Sequence, residues 1–340
     1  MRVARNTLRA DSLLLVTAVI WGFSFVAQRS GMAVIGPFAF SAARFALGTL
    51  SLLPLLLLAR RGKAKDGGPV LAWPARATWA GLAGLVVFAA INLQQTGLVR
   101  TTASNAGFIT SLYVVLVPLV GRCCGHPAGR RVWLGAALAF AGLYILGMGG
   151  GAGMDPGDLL VLAGSCFWAA HILLINRLVQ RMDALEIVVG QSAVCALLSL
   201  AAALVREPAP FRGLLPAAGP ILYGGLLSIG VAYTLQVVAQ KSAHPAHASI
   251  ILSMESLFAG IGGVLILREP LTPRLAAGGA LMLAGLVVSQ LEPGADHAGE
   301  DHDGVVSRMV EAAAGAEVRS PGRPVPAGPC APRETPGSRR

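Results

Sequence analysis

The stretch HASIILSMESLFAGIGGVLILREPLTPRLAAGGALMLAGLVVS, residues 247–289, consists of two long apolar runs joined by a short polar turn. The turn begins at Arg268 and ends at Thr272. A run of about 20 apolar residues is long enough to cross a bilayer as an α-helix. Strands of a membrane β-barrel, in contrast, alternate apolar and polar residues and are only about 10 residues long. The stretch therefore predicts two transmembrane helices.

Runs of this kind recur along most of the chain of 340 residues. Apolar residues make up 54% of it and charged residues only 13%, against about 25% charged residues in a soluble domain. This composition excludes a disordered chain, and 5 Cys are too few for a disulfide-stapled module. We predict an all-α integral membrane protein. Its ten transmembrane helices are expected at residues 12–29, 37–59, 77–99, 103–121, 132–148, 158–179, 184–205, 215–240, 245–267 and 273–291.

Basic residues predict the side of the membrane on which each terminus lies. In the first half, eleven Lys and Arg residues lie in the arm at 1–11 and in the loops after the second and fourth helices, and only Arg100 lies on the other side. Because basic residues favour the cytoplasmic side, we expect both termini in the cytoplasm after ten crossings. The formal net charge of +10 is thus mostly a topology signal and gives no reason to expect nucleic acid as a partner.

The two ends of the chain differ from the apolar part. Basic residues precede the first apolar run as in a secretory signal, but no convincing cleavage site follows before Arg29, so we expect an uncleaved first helix. Residues 292–340 have no apolar periodicity and contain 8 acidic and 6 basic residues. We predict that they form a disordered cytoplasmic tail.

The apolar part contains an internal repeat. The segment SNAGFITSLYVVLVPLVG from Ser104 aligns with AHASIILSMESLFAGIGG at an offset of 142 residues, and the pair Leu93-Gln94 recurs at the same offset. We therefore expect one repeat at 12–148 and a second at 158–291, joined by an external loop at 149–157. Five helices per repeat is an odd number, so the second repeat enters the membrane inverted. Inverted repeats are typical of secondary transporters, with the site at the midplane between the halves.

The segments VIWGFSFVAQRSGM and PFAFSAARFALG, together with residues 247–289, resemble the EamA domain of the drug/metabolite transporter superfamily. The resemblance covers about residues 12–291. It implies ten helices in two inverted repeats around a central cavity, and the movement of small metabolites or drugs, commonly export, without ATP hydrolysis. The family often has Pro where this chain has Ser256. Because Pro breaks the helical hydrogen-bond ladder, we expect Ser256 to straighten the ninth helix.

Two charges are predicted well inside a span. Glu255 lies about ten residues, or about 15 Å, into the ninth helix and therefore near the bilayer centre. An acid at this depth faces the bundle interior or a wet cavity. It is either a proton carrier or partner for a cationic substrate group, or a structural acid satisfied by a helix N-terminus or an Arg. Arg44, about seven residues into the second helix, is expected to be a structural charge that binds backbone carbonyls or extends outward. Tyr113 occupies the position in the first repeat that Glu255 occupies in the second.

The other candidates for substrate binding are aromatic or polar. Trp21 and Trp168 occupy matched positions in the repeats, and Asn105 matches His247, so that this last pair is expected to line one mouth of the cavity. Helix packing is the alternative interpretation for the Trp and Gln residues, and N-capping for Asn105. The complete set of candidates is Glu255, Trp21, Trp168, Tyr113, Gln94, Gln95, Asn105, Gln191, Gln236 and His247.

Other kinds of chemistry find no support. The motif His244-Pro-Ala-His247 has metal-ligand spacing but no Cys or further acid nearby, so we expect no metal site, and we find no nucleotide-binding or hydrolase motif. We expect no cofactor and no enzymatic activity. Ala276, Ala280 and Ala284 recur at a spacing of four, which predicts close helix packing or a homodimer interface.

The sequence favours a secondary transporter in the inner (cytoplasmic) membrane that works by alternating access. Its expected partners are a small-molecule substrate, the lipid bilayer and protons, and it is expected to be a monomer or a homodimer. Two alternatives remain open at this point. One is a membrane scaffold or sensor that uses the tail as a partner site. The other is an intramembrane enzyme, which would need a second acid or a nucleophile and base at the same depth.

Overall fold

The computed structural model describes residues 2–63, 72–123, 125, 128–147, 156–268 and 273–290. Over these ranges every regular element is helical. The predicted tail at 292–340, most of the predicted loop at 149–157 and the turn residues 269–272 lie outside the described residues.

Thirteen α-helices and one π-helical segment make up the described part of the chain. The α-helices are α1 (Arg2–Gly31), α2 (Pro37–Lys63), α3 (Trp73–Leu98), α4 (Ala103–Thr110), α5 (Tyr113–Cys123), α6 (Arg130–Gly147), α7 (Pro156–Leu178), α8 (Ala184–Arg206), α9 (Ala218–Leu222), α10 (Thr234–Ala239), α11 (Pro245–Leu252), α12 (Glu255–Leu267) and α13 (Pro273–Gln290). The π-helical segment, Tyr223–Tyr233, connects α9 to α10.

Eight helical stretches of the described chain are long and apolar enough to cross a membrane. They are Leu8–Gly31, Pro37–Arg60, Trp73–Leu98, Ala103–Cys123, Pro156–Leu178, Ala184–Arg206, Ala218–Ala239 and Pro245–Leu267. All ten predicted segments coincide with helix, and the two outside this group of eight correspond to α6 and α13, of 18 residues each. The all-helical prediction is confirmed, whereas ten crossings and the inverted repeat stay predictions.

Many large apolar side chains point away from the protein. Leu265 is 71% exposed, Leu197 65% and Leu204 63%, although each lies inside a long apolar helix. Soluble monomers seldom expose extended apolar surface, because leaving such surface in water is unfavourable. This outer surface fits the hydrocarbon of a bilayer.

Three of the long apolar stretches are not continuous α-helices. The fourth predicted segment breaks between α4 and α5, the eighth contains the π-helical segment, and the ninth breaks between α11 and α12. The expectation that Ser256 straightens the ninth helix is therefore wrong. The Ser253 hydroxyl donates to the Ile250 carbonyl at 2.7 Å, and the Ser256 hydroxyl donates to the Ser253 carbonyl at 2.8 Å. The backbone itself tightens at the break, where the Met254 N–H donates to the Ile251 carbonyl three residues earlier at 3.1 Å, and such a turn interrupts the α-helical ladder without Pro.

Helices α6 and α13 pack closely through glycines. A Cβ atom built on Gly135 would lie 2.7 Å from the carbonyl oxygen of Gly285, and one on Gly142 would lie 2.5 Å from that of Gly278. Close packing of the alanines of α13 within the chain is wrong as a prediction, because Ala276, Ala280 and Ala284 are exposed, and a homodimer interface there stays a prediction. The spacing of four residues does place these alanines on one face of α13. The face that contacts α6 instead carries Gly278 and Gly285, one or two positions away.

Two acidic side chains join helix ends at the two extremes of the bundle. Glu207, which follows α8, accepts from the backbone N–H groups of Phe38 and Ala39 at 2.8 and 3.1 Å and so caps the start of α2. At the other extreme Glu186, in the first turn of α8, pairs with Arg60 at 2.8 Å and with Arg76 at 2.9 Å. These contacts tie α8 to α2 and α3 around the interior.

Candidate functional site

A cavity lies in the interior and is lined by 17 residues. These residues come from α1 to α5, α7, the π-helical segment, α10 and α12, so that both predicted repeats contribute. The cavity volume is about 40 Å³, which is room for about three water molecules. Seven residues singled out from the sequence line it: Glu255, Trp21, Trp168, Tyr113, Gln94, Gln236 and Arg44.

Aromatic rings form one wall of the cavity. The ring centroids of Trp21 and Trp168 are 6.5 Å apart, and that of Tyr233 lies 5.0 Å from Trp21 in an edge-on arrangement. His171 contacts both Trp168 and Tyr233 edge-on, at 5.8 and 5.9 Å. Edge-on and tilted pairs at these distances are favourable, so the rings stabilise one another and present flat apolar surface to the cavity.

Glu255 is the first residue of α12 and lies at the helix break. It is 4% exposed, and its Oε1 accepts a hydrogen bond of 2.9 Å from the hydroxyl of Tyr113, the first residue of α5. The two residues that the repeat places at matched positions therefore contact each other. A carboxylate at a helix N-terminus is favoured by the helix dipole, which offsets part of the cost of its burial.

Gln94 and Gln236 also occupy matched positions, but their surroundings differ. The Oε1 atom of Gln94 accepts from the Trp168 indole at 2.8 Å and from the Thr110 hydroxyl at 3.4 Å, and its Nε2 donates to Gln28 at 3.2 Å. The amide of Gln236 is fully buried, and within the described chain neither its oxygen nor its nitrogen has a hydrogen-bond partner. The second repeat thus contributes an unsatisfied amide to the cavity.

Arg44 is 2% exposed and does not extend outward. Its guanidinium lies over the rings of Phe40 and Phe45, at 5.4 and 5.2 Å from their centroids. Its Nε and Nη2 atoms have no hydrogen-bond partner among the described residues. Gly224 of the π-helical segment makes room for the side chain, since a Cβ there would lie 3.0 Å from Cδ of Arg44. A buried guanidinium held by rings alone is incompletely satisfied.

Four candidates lie outside the cavity lining. Gln191 lies behind His171, a residue of the lining, and its Oε1 contacts Nε2 of His171 at 3.0 Å. Gln95 is fully buried, and its amide has no partner in the described structure. Asn105 contacts Thr101 and Asp158 instead, at 2.9 and 2.8 Å. The fourth, His247, contacts Asp11 at 3.1 Å.

Asn105 and His247 do not share a mouth of the cavity, which corrects the prediction for this pair. His247 contacts Asp11, near the start of α1, whereas Asn105 follows the end of α3, to which Arg29 at the other end of α1 is bonded. Eighteen residues of α1, about 27 Å, separate Asp11 from Arg29. These two residues, which align in the sequence, therefore lie at opposite ends of α1.

N-capping of α4 by Asn105 is also wrong as a prediction, because the cap is Thr102. Its hydroxyl accepts from the backbone N–H of Asn105 at 3.0 Å. His244 caps α11 in the same way, since its Nδ1 accepts from the backbone N–H of Ala246 at 3.3 Å. Thr102 and His244 therefore each bind the backbone at the start of their own helix.

Comparison with known proteins places the chain in a family. The model of the EamA-like transporter family matches residues 8–148 and again residues 155–290. The chain belongs to the EamA-like transporter family. It is 32% identical to an uncharacterized transporter of Archaeoglobus fulgidus over 84% of this chain and 86% of that protein. It is 26% identical to the uncharacterized inner membrane transporter YedA of Escherichia coli, over 66% of this chain and 73% of YedA.

A solved crystal structure has the same fold as this EamA-like chain. It covers 83% of this chain and 98% of its own, with a TM-score of 0.67 and 21% sequence identity. Together, the family match and the apolar helices identify a multi-pass membrane protein. The resemblance inferred from residues 19–48 and 247–289 is thereby confirmed.

The cavity of this EamA-like protein also contains residues that the sequence analysis missed. His171 and Tyr233 complete the aromatic wall, while Gln28 and Thr110 bind Gln94. One of these could have been found, because His171 follows Trp168 by three residues and so lies on the same helix face. The position of Tyr233 depends on the π-helical winding, which no pattern in the sequence predicted.

Proposed function

We propose that this protein is a secondary transporter that exports a small organic metabolite or drug through the central cavity by alternating access. The observation that carries the proposal is Glu255, a buried acid at the start of a half-helix, in a cavity lined by helices of both predicted repeats. Secondary transporters often form their sites from interrupted helices near the bilayer midplane. Family membership supports transport as the general activity.

Several observations support ten crossings in two inverted repeats. The family model matches the chain twice, over 8–148 and 155–290. The helix breaks after Thr110 and after Leu252 are separated by the repeat offset of 142 residues. The distribution of basic residues favours cytoplasmic termini. The similarity to an inner membrane transporter supports the inner membrane as the location.

The small size of the cavity supports alternating access over an open pore. About 40 Å³ holds about three water molecules, so a metabolite enters only when the walls move apart. Rocking of one repeat against the other would open the space between α1, α7 and the two helix breaks. In a membrane this motion exposes the same site to each side in turn.

Glu255 is the group that we propose couples transport to protons. Tyr113 donates to one carboxylate oxygen, and the carboxyl can still gain or lose a proton as the cavity opens to each side. No other carboxylate is found among the described residues that line the cavity. This also weighs against an intramembrane hydrolase, which would need a second acid or a nucleophile with its base.

Transport by reconstituted protein tests the proposal. We expect vesicles containing the full-length protein to move substrate at a rate that depends on the pH gradient, and Glu255→Gln to remove that dependence. Glu207→Gln is the matched control, because Glu207 caps α2 outside the cavity and should leave the dependence intact. An unchanged pH dependence in Glu255→Gln would refute the coupling, and the absence of any movement of metabolites or drugs would refute transport.

A further inference from the structure

We infer that the substrate carries a carboxylate group, and that Arg44 and Gln236 bind it. The inference rests on the proposed transport function, since it assigns a substrate class to the same cavity. Both side chains line the cavity, both are buried, and both have polar atoms without a partner in the described structure.

The surroundings of Arg44 leave its charge without a partner among the described residues. Its contacts are the rings of Phe40 and Phe45, and no carboxylate of the described chain lies within ion-pair distance. A buried cation without a counter-charge is costly, whereas a guanidinium paired with a carboxylate makes two parallel, charge-assisted hydrogen bonds. The rings fix the guanidinium in one place, which leaves its donors free for an anion.

Arg29 shows what a structural arginine looks like in the same molecule. Its Nη1 atom donates to the backbone carbonyls of Leu98 and Val99, at 3.0 and 2.8 Å, and so satisfies the end of α3. This is the arrangement expected of an arginine that serves the fold. Nε and Nη2 of Arg44 bind no carbonyl of the described residues, and the expectation of a purely structural Arg44 does not explain these free donors.

Gln236 provides a second and independent observation. Its repeat partner Gln94 uses both amide atoms to hold neighbouring side chains, whereas the buried amide of Gln236 has no described partner. A buried unpaired amide is destabilising and is seldom retained without a role. Its N–H₂ group can donate to the same carboxylate that pairs with Arg44.

The aromatic wall indicates the rest of the substrate. Trp21, Trp168 and Tyr233 present flat apolar surface to the cavity that Arg44 and Gln236 also line. A planar apolar group packs well against such rings. The combination fits a small carboxylate with an aromatic or otherwise planar body.

Binding to the purified full-length protein in detergent tests the substrate class. The probes are phenylacetate, its neutral analogue phenylacetamide and the cation phenethylamine. Because a ligand that binds the folded state raises the thermal midpoint, we expect phenylacetate to raise it and the other two to have little effect. Equal effects of all three compounds, stabilisation by the amine alone, or no effect of phenylacetate would overturn the inference.

Two variants with a matched control test the residues. Gln236→Leu should weaken phenylacetate binding at least about tenfold, as expected for loss of a hydrogen bond to a charged group. Gln95→Leu is the control, because Gln95 is equally buried and unpartnered but lies outside the cavity lining. Arg44→Lys should weaken binding by a similar factor, since Lys keeps the charge but cannot make the two parallel hydrogen bonds of a guanidinium. Equal affinities of Gln236→Leu and Gln95→Leu would contradict the assignment, even if the Arg44 variant does not fold.

The outcomes separate this inference from the proposed function. If vesicles move a substrate that has no carboxylate and phenylacetate does not bind, the protein is a transporter and the substrate class is wrong. If phenylacetate binds in a Gln236-dependent way but is not moved across the membrane, the site is correct and the proposed function fails.

Discussion

The helix breaks at Thr110–Tyr113 and Leu252–Glu255 have almost the same backbone but different chemistry. Each half-helix ends one residue before a serine, Ser111 or Ser253, and resumes two residues after it. Both turns tighten in the same way, with a backbone N–H bonded to the carbonyl three residues earlier. The first break resumes with a tyrosine, the second with an acid.

The difference extends to the neighbouring glutamines. Gln94, in the first repeat, is fully occupied by Trp168, Thr110 and Gln28, whereas Gln236 in the second has no described partner. At this matched pair of positions, one glutamine serves the fold and the other keeps a free amide at the cavity. Two copies of one backbone can divide structural and chemical tasks without changing shape.

The largest effect is expected where α1 supports the second break. A Cβ on Gly22 would lie 2.6 Å from the carbonyl oxygen of Glu255 and 2.9 Å from the backbone nitrogen of Ala259. Gly22→Ala should destabilise the protein by about 3 kcal/mol or more, because backbone atoms cannot yield as side chains do. The thermal midpoint in detergent measures this. The residue of the other repeat that aligns with Gly22 is Ala169, which already has a Cβ.

Gly81→Ala is the control for this variant. Nothing lies within 4 Å of a Cβ built on Gly81, which is also inside a helix. Ala is favoured over Gly in helices, so the midpoint should stay or rise. If Gly22→Ala were as stable as Gly81→Ala, the backbone at the second break would be able to move away from the added methyl group. The close contact with α1 would then not be needed to hold that break in place.

The glutamines provide the next largest effect. Gln94→Leu should lower the free energy of unfolding by about 2 kcal/mol, because the Trp168 indole N–H and the Gln28 amide oxygen both lose their hydrogen bond to Gln94. Gln236→Leu should be neutral or stabilising, since it removes a buried amide without a described partner. Midpoints of the two variants, measured side by side, test the division of tasks. Equal losses would mean that Gln236 is as structural as Gln94.

The smallest effect concerns the hydrogen bond between the breaks. Tyr113→Phe and Glu255→Leu, singly and combined, form a double-mutant cycle for the 2.9 Å bond, because neither Phe nor Leu can form it. We expect a coupling free energy of about 1.5 kcal/mol, typical of a hydrogen bond to a charged group. Denaturation in detergent measures it. If the stability losses of the two single variants simply add up in the double variant, the two residues are neighbours without a stabilising interaction.

The sequence predicted the helical segments well because their cause is local. Runs such as 158–179 and 184–205 are apolar over a bilayer's thickness, and the structure has α7 at Pro156–Leu178 and α8 at Ala184–Arg206. Repeat matching also brought correct residues together. Tyr113 and Glu255, which it aligned at an offset of 142, are in direct contact.

Several tertiary features could not be predicted from the pattern of apolar residues. The straight ninth helix was wrong because the backbone forms tighter hydrogen bonds at Met254 and Ser256, each to the carbonyl three residues earlier, and this change gives no signal in the apolar pattern. The π-helical winding at Tyr223–Tyr233 gives no such signal either. Whether an amide such as Gln95 or Gln236 faces a cavity depends on helix rotation, which the sequence leaves open along a span that is apolar on all sides.

The glycine contact between α6 and α13 has a mechanical consequence. The main chains of the two helices meet at Gly135, Gly142, Gly278 and Gly285, and the side chains of Met282 and Ser289 fill the space beside them. Close contact between backbones brings many atoms of the two helices within van der Waals distance, which favours their association in a bilayer, where apolar surface alone gives no driving force. We therefore expect α6 and α13 to stay paired while other helices of the bundle move.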